Sequence, residues 1–220
     1  MKYEIKGNNL PYVEIFLNKG ETLHTEQGAM SWMSDTLTMK TNTGGSFGNA
    51  FSRVFSGESM FQNTYTATTN DDFIAVSSCF PGEILAIDVS EKPIIAQKRA
   101  FLARENSVNM SIFFQRKIGT AFFGGEGFIM QKFSGNGIVF LEIDGSLVEK
   151  YLNFGESIVL DTGYLAAMEE SVKFEVIPVK GVGNVLFGGE GLFNTKVTGP
   201  GKIWIQSAPL NKMASLFINR

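Results

Sequence analysis

One histidine and one cysteine are all that the 220 residues contain. A serine or cysteine triad needs a histidine base, so His24 is the sole residue able to serve one. It sits in LHTEQG, two residues before Glu26. On a strand those two side chains share a face, which suits a surface pair better than a catalytic dyad. No His-x-His, HExxH or cysteine cluster occurs, so neither a metal centre nor a cofactor is expected. Cys79 has no partner for an intrachain disulfide, and following Phe73, Ile74 and Val76 it reads as a buried, inert thiol. Charge is also scarce, at 19% of residues with a net −3. Nucleic acid is therefore disfavoured, the densest basic spots being Lys98-Arg99 with Arg104, and Arg116-Lys117. Nothing approaches the roughly 18 uninterrupted apolar residues of a spanning helix. The opening MKYEIKGNNLPYVEIFL has no signal-peptide pattern, so the expected location is cytoplasmic.

What the chain does have is repetition. FFGGEGFIMQKFSGNGIVFLE from Phe122 returns as LFGGEGLFNTKVTGPGKIWIQ from Leu186, 64 residues later (186 − 122). KPIIAQKRAFLARENSVN from Lys92 aligns without gaps on ESIVLDTGYLAAMEESVK from Glu156, at the same offset. A looser copy lies upstream. FSGESMFQNTYTATTNDDFIAV begins at Phe55, and GETLHTEQGAMSWM from Gly20 matches GESIVLDTGYLAAM from Gly155. The reading is one domain over 1–220 made of three units, near 12–88, 89–151 and 152–217. Runs such as Ile138 to Ile143 and Lys202 to Gln206, with hairpin turns at SGNG and TGPG, predict short antiparallel strands. The expected fold is all-β, an antiparallel sandwich or barrel-like body, with at most one or two short helices. Glycine at 24 and phenylalanine at 20 suit that architecture.

Two groups of residues stand out as candidate sites. Phe47, Phe51, Val54 and Phe55 fall at i, i+4, i+7 and i+8 in the longer first unit. They read either as a short helix plugging a sandwich end or as an apolar interaction surface able to touch a membrane. Glu58, Glu126 and Glu190 each follow a glycine at equivalent places in the three units. Convergence near a common axis would let them bind a cation or perturb one another, whereas capping of their own glycine turns would be purely structural. GGEG itself is no phosphate cradle, because neither Lys-Ser/Thr nor a helix follows it. Adjacent aromatics such as Phe122-Phe123 cannot enter one core together, so either two apolar layers or an oligomer interface is implied.

At GESMFQNTYTA, the two GEG segments and EQGAMSWM, the chain resembles the AIM24 family, formerly DUF124, over nearly its full length. The resemblance implies a β fold likened to the tryptophan RNA-binding attenuation protein, with internal duplication. It implies no established enzymatic activity and supplies no catalytic residues. The expected function is a non-catalytic, homo-oligomeric scaffold or interaction protein, with membrane-surface association part of that reading. The alternative is an RNA- or small-ligand-binding module of the attenuation-protein type, whose signature would be Arg99, Arg104, Arg116 and Lys117 converging.

Overall fold

The computed structural model describes residues 1–41, 62–116, 127–179, 193–210 and 212. An edge strand β1 (Lys2–Lys6) precedes three runs of six. The first is β2 (Tyr12–Leu17), β3 (Thr22–Glu26), β4 (Met30–Met33), β5 (Thr38–Thr41), β6 (Gln62–Thr66) and β7 (Asp72–Ser77). The second is β8 (Gly82–Asp88), β9 (Ile94–Gln97), β10 (Phe101–Glu105), β11 (Val108–Arg116), β12 (Phe128–Gly135) and β13 (Ile138–Asp144). The third is β14 (Leu147–Leu152), β15 (Ser157–Asp161), β16 (Leu165–Glu169), β17 (Lys173–Pro178), β18 (Phe193–Thr198) and β19 (Gly201–Gln206). The all-β expectation holds, and short 3-10 turns at Lys98–Ala100 and Thr162–Tyr164 supply the helical content within the strand runs.

Pairing is antiparallel and has the same pattern in each run. The first strand pairs the sixth (β2 with β7, β8 with β13, β14 with β19). The third also pairs the sixth, with a register shift at Met30/Trp32, Phe101/Ala103 and Leu165/Ala167. The fifth strand joins the second and the fourth. These pairings start the units at Tyr12, Gly82 and Leu147, so β8 and β14 open the second and third units instead of closing the ones before.

The units are stitched by their second and third strands. β3 pairs β10, and β9 pairs β16. Each junction fuses three strands of one unit with three of the next, giving the two six-stranded sheets β5-β6-β3-β10-β13-β8 and β11-β12-β9-β16-β19-β14. Half-sheets remain at the ends, β1-β2-β7-β4 and β15-β18-β17.

Four sheets in series enclose three apolar layers. Val13, Ile15, Leu23, Ile74 and Phe140 pack in the first, Ile94, Phe101, Phe133, Leu141 and Trp204 in the second, and Ile95, Phe128, Met168, Val197 and Ile203 in the third. Strands of the six-stranded sheets therefore serve two layers at once. Along β13, Val139 and Leu141 face the second layer and Phe140 the first. Along β19, Trp204 faces the second while Ile203 and Ile205 face the third. Period-2 geometry with burial on both faces explains the uninterrupted apolar runs. Two apolar layers thus account for the adjacent apolar residues of these strands.

Candidate functional site

Phe47, Phe51, Val54, Phe55, Glu58, Glu126 and Glu190 lie outside the described residues, as does Lys117. The remaining basic candidates have separate engagements. Arg116 stacks on the Phe193 ring at 4.6 Å. Arg104 donates to the carbonyl of Val108 and to Gln62 Oε1, and burial draws its guanidinium down to about 10. Arg99 lines a small polar cavity with Gln97, Glu142, Asp144 and Gln206.

His24 does not pair with Glu26. Its Nδ1 lies 3.1 Å from Thr64 Oγ1 and its Nε2 2.9 Å from Asn106 Oδ1. Burial, then the charge of Arg104, holds its pKa below the ordinary value. Cys79 is exposed, correcting the buried-thiol expectation, because β7 ends at Ser77 and the chain turns before β8. No group of three or more His, Cys, Asp or Glu able to hold a metal occurs among the described residues.

The polar cavity holds two carboxylates partly withdrawn from water, Glu142 and Asp144. Its volume is ≈ 10 Å³, about one water. Glu142 accepts from Ser78 Oγ at 3.0 Å, and burial pushes its carboxyl up to about 7. Asp144 is raised as well, chiefly by burial, and accepts from the Leu210 N–H at 2.7 Å. Gln206 bridges the Asp144 N–H and the Gly163 carbonyl. These bonds tie two sheets together, and the volume leaves no room for a substrate.

Two larger clefts recur at equivalent places. One, of ≈ 530 Å³, is lined by Glu91, Lys92 and Pro93 before β9 and by Glu169, Glu170 and Ser171 at the end of β16. The other, of ≈ 280 Å³, is lined by Gly20, Glu21 and Thr22 at the start of β3 and by Glu105, Asn106 and Ser107 at the end of β10. Each sits at the mouth of a junction between units. Lys92 pairs with Glu169 at 3.3 Å in the first, and the Met1 amine with Glu105 at 3.6 Å in the second.

The remaining feature is the pair of open ends. β9 is buried throughout, and its sequence counterpart one unit later, β15, is not. Val159 is 53% exposed, whereas Ile95, 64 residues earlier, is 0% exposed. β4 has no buried residue, in contrast with β10 and β16, whose first three and four residues are buried. Trp32 is 42% exposed, its ring edge against Tyr12 at 4.9 Å. Neither β4 nor β15 has a second strand partner among the described residues, although both occupy positions that are interior in the other units. Repetition suggested three units, but the fact that the third junction is left open needed the pairing map.

Residues 3–208 match the family described as mitochondrial biogenesis AIM24. An uncharacterised protein of Streptococcus pyogenes serotype M6 is 30% identical over 224 residues, covering 97% of this chain and 88% of its own length. A crystal structure of a Streptococcus pyogenes protein superposes with a TM-score of 0.85 at 26% identity, over 99% of this chain and 98% of that one.

Proposed function

The chain belongs to the AIM24 family, and on that premise we propose that it is a non-catalytic scaffold that works by self-assembly. One observation carries the reading: two strands that are interior in their sister units lie uncovered, with Trp32 and Val159 exposed on them. A strand edge with exposed apolar residues and no partner is a pairing template. Its retention in a folded protein calls for an occupant. The chemistry around it supports the same reading, since His24 is engaged by Thr64 and Asn106 and the buried carboxyls surround a cavity of one water. Light scattering at tens of micromolar tests assembly: the expected mass is a multiple of 24.2 kDa, and a clean monomer removes the reading.

Membrane-surface contact through Phe51 and Phe55 is a further part of the proposal. Flotation with anionic vesicles is expected for the wild type and is expected to weaken in Phe51→Asp; a wild type that never floats ends it. The second reading, a small-ligand module, draws support from the recurrence of the cleft at both junctions. A thermal-shift screen with free amino acids at millimolar concentration tests it, and no rise in Tm with any of them counts against it.

A further inference from the structure

We propose that the open edge β15 of one copy pairs antiparallel with the open edge β4 of the next, joining chains head to tail by the same junction that joins the units within a chain. This rests on the self-assembly reading and names its partner, a second copy of this chain.

The internal junctions give the register. Ala96 faces Ala167, Ile95 faces Met168 and Ile94 faces Glu169. In the other junction Thr25 faces Ala103, His24 faces Arg104 and Leu23 faces Glu105. Carrying this alignment forward sets Leu160 opposite Trp32, Val159 opposite Met33 and Ile158 opposite Ser34 of the next copy. The three-stranded and four-stranded half-sheets then merge into one seven-stranded sheet, built like the two six-stranded ones inside the chain with β1 added at its edge.

Side chains at the junction point to the same partner. In each unit the third and sixth strands place one small and one aromatic residue side by side: Ala103 with Phe140, Ala167 with Trp204, and Trp32 with Ala75. Phe140 packs into the layer of the first unit and Trp204 into the layer of the second, so the aromatic plugs the core of the unit before it. Both are buried, at 0% and 5% exposure. Trp32 has the same role with the two positions exchanged, but no described unit precedes the first, and the ring stays at 42%. The missing predecessor is the third unit of another copy. Val159 is the complement. Its counterpart Ile95 packs into the layer of the unit after it, and no described unit follows the third.

The edges are also unguarded. Every other edge strand carries charge: Lys2, Glu4 and Lys6 in β1, Lys40 in β5, Glu83 in β8, Arg116 in β11, Glu149 and Lys150 in β14, Lys173 and Glu175 in β17. Such charges block edge-to-edge pairing. β4 has none, and β15 has only Asp161 at its end, held by Lys212 at 2.7 Å. Pairing would also bring Gly155, Glu156 and Ser157 against Ser34, Asp35 and Thr36 of the next copy. That completes a third cleft like the two within the chain.

The test uses two single variants of the full chain, Val159→Lys and Trp32→Glu, each checked by circular dichroism for native strand content. Wild type is expected as an oligomer, and each variant alone as a monomer of 24.2 kDa by light scattering. Mixed in equal amounts they should form a capped dimer of about twice that mass. One variant still has an intact β4 and the other an intact β15, so a single good junction remains. Trp32 emission should shift to the red in the Val159→Lys monomer. A wild-type monomer overturns both this inference and the self-assembly reading. A wild-type oligomer indifferent to both substitutions, or a mixture that stays monomeric, overturns the edge pairing and leaves self-assembly standing.

Discussion

Glu142 ionises against the fold. Its carboxyl titrates near 7 when folded, because burial disfavours the anion, against an ordinary 4.5. Between those values the folded state holds a proton that the unfolded chain has lost, so stability is greatest below about 4.5 and declines as pH rises to about 7. The full difference corresponds to ~3 kcal/mol. Glu142→Gln keeps an acceptor for Ser78 and removes the charge. It is expected to be more stable than wild type at pH 8 and about equal at pH 4, by thermal unfolding at both. Equal curves at pH 8 would show that the carboxylate is solvated. Asp72 has the opposite sign. The Thr36 hydroxyl, then the Thr69 N–H, holds it below the usual carboxylate range, so its contribution is present at neutral pH and lost on acidification.

Asp72 also shows how one device is kept while its residues change. Counting from the bulges, Ser34, Glu105 and Glu169 are equivalent, as are Asp72, Gly137 and Gly201. In the second and third units the carboxylate comes from the third strand and the hairpin offers glycine. A Cβ on Gly137 would meet Glu105 Oε2 at 2.4 Å, and one on Gly201 would meet Glu169 Oε2 at 3.2 Å. In the first unit Asp72 supplies the carboxylate from the hairpin side and Ser34 the small residue. The backbone N–H accepted by Glu169 is that of Lys202, and Ser34 accepts the equivalent one from Phe73. Asp72→Gly should lower Tm, and adding Ser34→Glu should recover part of the loss. A double variant no better than the single would separate the two sites.

Among the elements, the weight of packing falls where strands of different units meet. Phe128 of β12 is fully buried, with the Phe114 ring at 6.3 Å and the Phe174 ring at 6.1 Å. The cluster ties β11 and β12 of the second unit to β17 of the third. Phe128→Ala is expected to cost about 3–5 kcal/mol by denaturant unfolding. The neighbouring Phe113, 45% exposed with its ring 6.5 Å from that of Phe174, should cost less than Phe128 when truncated, about 1–2 kcal/mol. Similar losses at both positions would mean that the exposed ring contributes as much to the cluster as the buried one.

For the whole molecule, a series of sheets with open ends predicts graded stability. The sheet β15-β18-β17 has three strands, while β9 lies inside a sheet of six between β12 and β16. Hydrogen exchange on the Val159→Lys monomer is expected to be slowest at β9 and β16 and faster by tenfold or more at β15. In the oligomer, protection of β15 should approach that of β9. Uniform protection in the monomer would show that the ends are not weaker than the middle.

The sequence alone determined the strand type, the hairpins and the existence of three related units, because period-2 patterning, glycine turns and recurring motifs are local properties. SGNG and TGPG could be read without any neighbour. It also left a histidine-based triad a single candidate base, His24. Tertiary structure decided the rest, for reasons no local pattern carries. Cys79 follows an apolar run yet lies in a bend past the strand end. The carboxylate of Asp72 replaces that of Glu105 and Glu169 across a hairpin, so matching is preserved in space and lost in the alignment. Above all, Trp32 and Val159 lie exposed where their counterparts Ala167 and Ile95 are buried. Only the pairing map reveals that no described unit supplies the core they would enter.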